Sequence, residues 1–245
     1  MTELIKTGVP GLDQVLKGGL RRNSSILITG APGTGKTLLA LEFIYYGSKD
    51  CNENGIFITT EESLDALQQS GKNLGMDIEA MVGKGKMFIV QKPIASLRGG
   101  ISSLKGLIDA IKKNNIKRVA LDSLIFFDYL YPRYDGNKIE FRRQVLMFMQ
   151  QIRKTGVTFL TVSERQVTDF DRLTYDMMDF VFEGLIFLSR IRKGSYYERV
   201  LTVAKLRGQD HSLDIYPISI GSEGLKVLYD QTPFSLVEKE DSSFK

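Results

Sequence analysis

The sequence predicts an α/β fold, with a mixed, mostly parallel sheet flanked by helices and an antiparallel C-terminal end. Two observations predict it. In the first part of the chain, short apolar runs rich in β-branched residues alternate with longer segments of helical periodicity. After residue 179, strand-like segments follow one another with only short turns between them. Alternating strands and helices build parallel sheets, whereas strands joined by tight turns pair antiparallel.

Five buried strands are predicted in the first part of the chain. They are SILIT at 25–29, GIFIT at 55–59, MFIV at 87–90, RVAL at 118–121 and VTFLTV at 157–162. One helical pattern lies between each consecutive pair of strands, at 36–49, 63–75, 101–114 and 138–156. We therefore expect the helices to cover the faces of a parallel sheet.

The C-terminal part continues with three more predicted strands. They are FVFEGLIFLSRI at 180–191, YERVLTVAKL at 197–206 and LDIYPISI at 213–220, with RKGS as one of the turns. The last residues, PFSLVEKEDSSFK, lose this periodicity. No repeat or linker marks a boundary before them. We expect a single domain at 1–229, followed by a loosely ordered tail at 230–245.

The composition argues against several classes of protein. The 245 residues include 33 Lys and Arg against 29 Asp and Glu, and this net charge of +4 is mild beside that of a dedicated nucleic-acid binder. No apolar run approaches the roughly 18 residues of a membrane helix, and the N-terminus has no apolar leader. The single Cys51 excludes an intramolecular disulfide. A cytoplasmic protein without membrane contact is expected.

The stretch GAPGTGKT matches the phosphate-binding pattern of Gly, four residues, Gly, Lys and Ser or Thr. It follows a predicted strand and opens a predicted helix, so backbone N–H groups and the helix N-terminus point at one phosphate chain. Lys36 would reach the β- and γ-phosphates of ATP, and the Thr37 hydroxyl would ligate Mg²⁺. The predicted nucleotide-binding residues of this stretch are Gly30, Ala31, Pro32, Gly33, Thr34, Gly35, Lys36, Thr37 and Leu38. The alternative is a glycine-rich turn without a ligand.

Asp122 ends the apolar run of RVALDS. A parallel sheet brings the ends of its strands to the same edge as the phosphate loop, so this carboxylate is predicted to belong to the metal site. The alternative is an ordinary turn residue at the end of a strand.

Two more acids, Glu61 and Glu62, follow the second strand in FITTEES. A carboxylate at this edge could polarise the water that attacks the γ-phosphate. Because side chains alternate along a strand, only one of two neighbours is expected to face the nucleotide directly. The alternative is that Thr60 caps a helix beginning near Ser63, whose dipole favours two acids.

Together these stretches resemble the KaiC-like ATPases of the RecA superfamily, in a single-domain form. The resemblance rests on TGVPGLDQVLKGGL, GAPGTGKT, the acids of TEES, ALDS, and KLRGQDH followed by YPISI, and runs from about residue 6 to 228. It implies a RecA-like P-loop NTPase fold, in which the strand before the acidic pair lies beside the strand of Asp122. It also implies an Mg²⁺-dependent ATPase that forms hexameric rings with ATP between subunits and acts as a regulatory or signalling switch through protein partners.

The resemblance also implies roles for individual residues. Glu61 matches the catalytic base, with Glu62 in support, and Ser163 with Glu164 matches the position that senses the γ-phosphate. The basic residues of KLRGQDH would face the nucleotide of the neighbouring subunit and act in catalysis there; they are Lys205, Arg207 and His211. Two positions depart from the family pattern, Glu183 and Ser222. Whether the protein phosphorylates itself, as the family resemblance allows, stays open.

Other readings remain for these features. Basic residues at a strand end commonly form a solvated edge that prevents aggregation, and a lone histidine is commonly structural. The main alternative function is a RecA-like recombination or repair ATPase that binds single-stranded DNA. It is disfavoured because residues 164–179 carry five acids against two arginines, a net charge of −3, although the aromatic residues of 126–138 could stack on bases. A nucleotide-dependent scaffold that scarcely hydrolyses ATP is a third reading.

Overall fold

The computed structural model describes residues 3–91, 100–124, 138–165, 177–234 and 236. Its strands are β1 (Leu4–Ile5), β2 (Leu20–Arg21), β3 (Ser25–Gly30), β4 (Asn54–Thr59), β5 (Met87–Gln91), β6 (Ile116–Asp122), β7 (Thr158–Glu164), β8 (Gly184–Lys193), β9 (Tyr196–Leu206), β10 (Ile215–Gly221) and β11 (Gly224–Val227). Its helices are α1 (Leu12–Val15), α2 (Lys36–Asp50), α3 (Leu64–Asn73), α4 (Ile78–Gly83), α5 (Gly100–Lys113) and α6 (Lys138–Arg153), with a 3₁₀ turn at Met177–Phe180.

Nine strands form one mixed sheet in the order β11-β10-β9-β8-β3-β7-β6-β4-β5. The strands from β8 to β5 in this order are parallel, whereas β8 to β11 pair antiparallel. This confirms the predicted fold class. The strand that precedes the acidic pair, β4, lies beside β6, and Thr59 pairs with Asp122. The adjacency that the family resemblance implies is therefore present.

The five strands predicted in the first part of the chain are confirmed as β3 to β7, within two residues at either end. The helical pattern at 63–75 ends earlier than predicted, at Asn73, and a second helix, α4, follows it. Two local features explain the break: Gly75 has a φ of +75°, and the Asp77 side chain accepts a hydrogen bond from Ala80 N as the cap of α4.

The C-terminal strands also differ from the prediction. The segment predicted at 180–191 becomes a strand only from Gly184, because Met177–Phe180 forms the 3₁₀ turn. The hairpin at RKGS is present, and one further strand, β11, follows β10 after a two-residue turn at 222–223. The predicted tail and the loops at 126–138 and 164–179 lie mostly outside the described residues, so the argument about DNA stays a prediction.

The core has one apolar cluster on each face of the sheet. One cluster contains Ile28 with Phe43 of α2, and the other contains Leu27 with Phe148 of α6. Neighbouring residues of β3 thus point to opposite faces, as a strand buried on both faces requires. Among the described residues, no helix has the length and apolar character needed to cross a membrane.

A buried arginine attaches the N-terminal segment to the sheet. Arg118 of β6 has no exposed surface and forms an ion pair of 2.6 Å with Glu53. Its guanidinium also donates to the carbonyl oxygens of Lys6, at 2.7 Å, and Thr7, at 3.3 Å. Because a buried charge requires such partners, the start of TGVPGLD is fixed in place by the strand that carries the Asp122 carboxylate.

Candidate functional site

The carboxyl ends of β3, β4, β6 and β7 meet at one edge of the sheet, around a cavity of about 400 Å³. Six chemically important residues line this cavity: Lys36, Thr37, Glu61, Glu62, Asp122 and Glu164. The first five were predicted from the sequence as nucleotide, metal or catalytic residues, and the family resemblance matched Glu164, together with Ser163, to the position that senses the γ-phosphate. The topology therefore brings together residues that lie up to 128 positions apart in the chain, between Lys36 and Glu164.

The phosphate loop depends on glycine at specific points. Gly33 and Gly35 have φ angles of +74° and +106°, a region that other residues rarely adopt. A Cβ on Gly30 would lie 1.9 Å from the carbonyl oxygen of Leu188 in the neighbouring strand. Gly35 directly precedes α2, so the loop ends at the N-terminus of a 15-residue helix. This is the backbone arrangement that phosphate binding requires.

Lys36 is a nearly buried cation at the start of α2. Its side chain is 7% exposed, and its Nζ donates a hydrogen bond of 2.9 Å to the carbonyl oxygen of Ala31 within the loop. Burial lowers the pKa of the Lys36 ammonium, while the nearby carboxylates, foremost Glu164 and Asp122, act in the opposite direction. The loop thus holds a poorly solvated positive charge that an anionic ligand would stabilise.

Asp122 and Thr37 form the possible metal-binding pair. Burial raises the pKa of the Asp122 carboxyl to about 6, and a hydrogen bond from the Thr37 hydroxyl opposes this rise. No group of three or more His, Cys, Asp or Glu side chains suited to a metal occurs in the part of the chain that the structure describes. Two hard oxygen donors fit Mg²⁺, which typically keeps several waters and binds one or two protein groups together with phosphate oxygens.

The turn after β4 places both glutamates at the cavity. The Thr59 hydroxyl accepts hydrogen bonds from the backbone N–H of Glu61, at 3.2 Å, and of Glu62, at 3.0 Å. Burial raises the pKa of the Glu62 carboxyl, and the charge of Glu61 adds to this effect. Because the chain leaves the strand here, strand alternation no longer applies, and both acids line the cavity.

The structure also identifies the cap of the helix after the acidic pair. The Ser63 hydroxyl accepts a hydrogen bond of 3.2 Å from Ala66 N and is the N-cap of α3. Thr60, which the alternative reading made the cap, instead donates to the carbonyl oxygen of Asp122 at 3.3 Å. The hypothesis that Thr60 caps this helix is therefore wrong, because the cap is Ser63.

At the end of β7, the described residues that line the cavity are Val162 and Glu164. Ser163, which the sequence placed in the nucleotide site, lies between them and pairs with Thr29. Because successive side chains of a strand alternate, Ser163 points to the other face. Of the two residues that the family resemblance singled out here, Glu164 is the one at the cavity.

Two arginines at the phosphate loop were not predicted. Arg190 of β8 and Arg199 of β9 lie opposite each other in the hairpin. Arg190 donates to the carbonyl oxygen of Pro32 at 2.7 Å, and Arg199 donates to that of Gly33 at 3.4 Å. Like charges opposite each other are unfavourable in a hairpin, so this pair indicates a functional constraint. Only the register, which the sequence did not reveal, brings them together.

The KLRGQDH cluster lies at the opposite edge of the sheet. Lys205 and Leu206 pair with Leu185 and Gly184 at the start of β8, whereas the phosphate loop follows the end of the adjacent, parallel β3. Its three basic side chains contact carbonyl oxygens of their own chain. Lys205 Nζ contacts Asp179 and Phe182, Arg207 contacts Phe180, and His211 Nδ1 contacts Ser212. The cluster is therefore separated from the phosphate loop of the same subunit.

Two of the stretches that carry the family resemblance, TGVPGLDQVLKGGL and KLRGQDH, contact each other. The amide of Gln209, within KLRGQDH, donates to the carbonyl oxygens of Leu16 and Gly19, at 2.8 and 2.6 Å. Lys17 forms an ion pair of 2.7 Å with Asp210. The segment TGVPGLDQVLKGGL thus supports the loop that carries the basic cluster.

Comparisons with known proteins agree with this geometry. A family model described as "ATPase: KaiC" matches residues 5–232. The circadian clock oscillator protein KaiC of Prochlorococcus marinus is 32% identical over 232 residues, which cover 91% of this chain and 45% of that protein. The same protein of a Picosynechococcus species is 31% identical, covering 91% and 44%. The chain thus spans less than half the length of these curated relatives.

One solved structure matches this chain over nearly the full length of both proteins. The KaiC-like protein PH0186 from the hyperthermophilic archaeon Pyrococcus horikoshii OT3 superposes with a TM-score of 0.79 and is 29% identical in sequence. The match covers 93% of this chain and 99% of the other. A chain of this size can therefore hold the whole architecture in a single unit.

Proposed function

This chain belongs to the KaiC family of ATPases, and we propose that it binds ATP with Mg²⁺, hydrolyses it, and assembles into a ring with ATP between subunits. The observation that carries the proposal is the convergence of the phosphate loop, Glu61 and Asp122 around one cavity of about 400 Å³. Residues 1–229 would form one ATPase domain, and residues 230–245 a tail.

In the proposed complex, the loop amides and Lys36 bind the β- and γ-phosphates. The partly desolvated ammonium of Lys36 supports this role, because its only described hydrogen bond is to a loop carbonyl. Thr37 and Asp122 would hold Mg²⁺, which neutralises charge on the phosphate oxygens. The low exposure of Asp122, at 7%, supports this choice, because a buried carboxylate gains most from a cationic partner.

Glu61 is the proposed general base, with Glu62 in support. It would accept a proton from the water whose oxygen forms the new bond to the γ-phosphorus, while the bond from that phosphorus to the bridging oxygen breaks and ADP leaves. A base at physiological pH must be ionised. Glu61 is the more exposed member of the pair, and burial raises the pKa of Glu62, which favours Glu61 for this role.

The basic cluster supports the ring. Lys205 and Arg207 lie at the sheet edge opposite their own phosphate loop, so they can reach a nucleotide only across a subunit interface. There they would neutralise charge on the γ-phosphate of the neighbour, with His211 donating or relaying a hydrogen bond. By the family resemblance, the ring would have six subunits and act in the cytoplasm as a switch for protein partners.

The test is to measure the oligomeric state of the protein with and without Mg·ATP, together with the rate of phosphate release. We expect ATP-dependent assembly together with steady phosphate release, and neither in a Lys36→Ala variant, which lacks the cation on the β- and γ-phosphates. A monomer that hydrolyses ATP at the full rate would contradict the ring. Assembly without turnover would favour the nucleotide-dependent scaffold instead.

A further inference from the structure

An ion pair connects the 3₁₀ turn at Met177–Phe180 to the nucleotide cavity. Arg165 directly follows the cavity residue Glu164, and its backbone N–H donates to the carbonyl oxygen of Gly30 at 3.1 Å. Its guanidinium donates two hydrogen bonds, of 2.8 and 2.9 Å, to the two carboxylate oxygens of Asp179. Asp179 is 1% exposed. A bidentate pair at a buried carboxylate fixes both distance and orientation.

The same turn holds the basic cluster through its backbone. Lys205 Nζ donates to the carbonyl oxygen of Asp179 at 2.5 Å and to that of Phe182 at 2.7 Å. Arg207 donates to the carbonyl oxygen of Phe180 at 3.1 Å. Asp179 is thus held by Arg165 through its carboxylate and orients Lys205 through its carbonyl.

A second contact supports the fixed position of this pair. The Arg165 guanidinium lies over the ring of Phe187, 5.7 Å from its centroid, and Phe187 is buried in β8. The arginine therefore has an aromatic surface on one side and the Asp179 carboxylate as its acceptor. These contacts form a continuous path from the nucleotide cavity at one edge of the sheet to the basic cluster at the other.

We propose that Asp179 is a positioning residue that orients Lys205 and Arg207 for the neighbouring subunit and links them to the nucleotide cavity of its own subunit. The proposal rests on the proposed role of these two cations at the neighbour's ATP. Asp179 is not among the described residues that line the cavity. It keeps the turn in place, so the carbonyl oxygens that hold the cations stay where the interface needs them. A shift of the strand end at Glu164 would pass to the turn through Arg165.

The first test is the kinetics of Asp179→Asn, which keeps the shape of the side chain and removes its charge. We expect kcat to fall about tenfold with KM for ATP nearly unchanged, because misplaced groups reduce turnover while the variant's own ATP-binding pocket is intact. Glu140→Gln is the matched control. The Glu140 carboxylate also accepts two hydrogen bonds from one arginine, Arg143, each of 2.8 Å, but this pair lies at the start of α6 on the protein surface, so the kcat of this variant should match the wild type.

The second test separates positioning from a structural role. Asp179→Asn and Glu61→Gln proteins are mixed and reassembled. At some interfaces of the mixed ring, an Asp179→Asn subunit contributes the ATP site and a Glu61→Gln subunit contributes the cations. At such an interface both Glu61 and the Asp179 that positions the cations are intact. Random mixing makes about a quarter of the interfaces of this kind, so activity should rise above the mean of the two separate proteins. No rise, although mixed rings form, would overturn the proposal.

A milder variant covers the case in which Asp179→Asn does not fold. Arg165→Lys keeps the positive charge and loses the bidentate geometry, so we expect a smaller loss of kcat, again with KM unchanged and recovery on mixing. Wild-type kcat in this variant would overturn the inference. A wild-type protein that releases no phosphate would instead contradict the proposed function, before any variant is compared.

Discussion

The hydroxyl of Thr37, in the first turn of α2, lies beside the carboxylate of Asp122, at the end of β6, and lowers its pKa against the effect of burial. These residues lie 85 positions apart in the chain, and the contact joins the phosphate loop to the second predicted metal-binding residue. Without a cation, the Thr37 hydroxyl only partly offsets the burial of the carboxylate, whose pKa rises to about 6. The charge of Asp122 that would bind Mg²⁺ therefore lowers the stability of the folded protein when no cation is present.

Asp122→Asn should stabilise the nucleotide-free protein and abolish Mg²⁺-dependent hydrolysis. The carboxyl has a pKa of about 6 in the folded protein and about 3.9 when unfolded, so its ionisation lowers stability as pH rises from about 4 to 6. Removing the charge should raise the free energy of unfolding at pH 7.5 by roughly 1 to 3 kcal/mol. Denaturant unfolding without nucleotide measures this.

The same pKa makes a prediction for the wild type. A carboxylate binds Mg²⁺ only when ionised, so the Mg²⁺ concentration needed for half-maximal phosphate release should increase as pH falls below about 6. An Asp122→Asn protein less stable than the wild type at pH 7.5, or a metal requirement independent of pH, would contradict the assignment.

Glu61→Gln should preserve ATP binding and lower turnover by about 10²-fold, the scale of lost general-base assistance. Glu62→Gln is the matched comparison, because both residues are held by the same Thr59 hydroxyl and line the same cavity. Nucleotide affinity and phosphate release should be measured for both variants. If Glu62→Gln has the larger effect on turnover, the base has been assigned to the wrong member of the pair.

The sequence predicts the parts of this site that local patterns encode. The phosphate loop has a fixed spacing, and Asp122 follows an apolar strand, so both could be identified without knowing the strand order. Arg190 and Arg199 could not, because only the hairpin register places them opposite each other at the loop. The link between Arg165 and Asp179 depends on the 3₁₀ turn at Met177–Phe180, most of which the sequence pattern assigns to a loop at 164–179 without any internal contact.

Glu42→Gln should remove part of the pH dependence of stability. Glu42 lies in α2, its Oε1 accepts a hydrogen bond of 2.7 Å from Leu225 N, and its Oε2 has no hydrogen-bond partner in the described part of the chain. Burial raises the pKa of this carboxyl to about 7, and the hydrogen bond from Leu225 opposes the rise. The pKa of an unfolded glutamate is about 4.3, so the folded protein retains this proton longer and stability falls between pH 4.3 and 7.

The measurement compares unfolding of the wild type and Glu42→Gln at pH 5 and pH 8. The difference between the two proteins isolates Glu42, because the ionisation of Asp122 contributes equally to both. We expect the variant to gain stability relative to the wild type at pH 8 and to show a much smaller relative gain at pH 5, near the start of the range in which Glu42 costs stability. A relative effect of the same size at both pH values would show that Glu42 does not titrate in this range.

Arg207→Ala should nearly abolish turnover while ATP binding is kept, because Arg207 lies at the opposite edge of the sheet from its own phosphate loop. Mixing tests whether it acts across an interface. Arg207→Ala subunits retain Glu61, and Glu61→Gln subunits retain Arg207, so about a quarter of the interfaces in a random mixed ring pair two intact groups. Activity should therefore approach a quarter of the wild-type rate.

The control is Arg192→Ala, which removes a β8 arginine whose Nε donates to the Gly194 carbonyl. This variant should keep full activity. Mixed rings without recovered activity would contradict a role of Arg207 across the interface, and full turnover in Arg207→Ala would indicate that KLRGQDH is a solvated strand end.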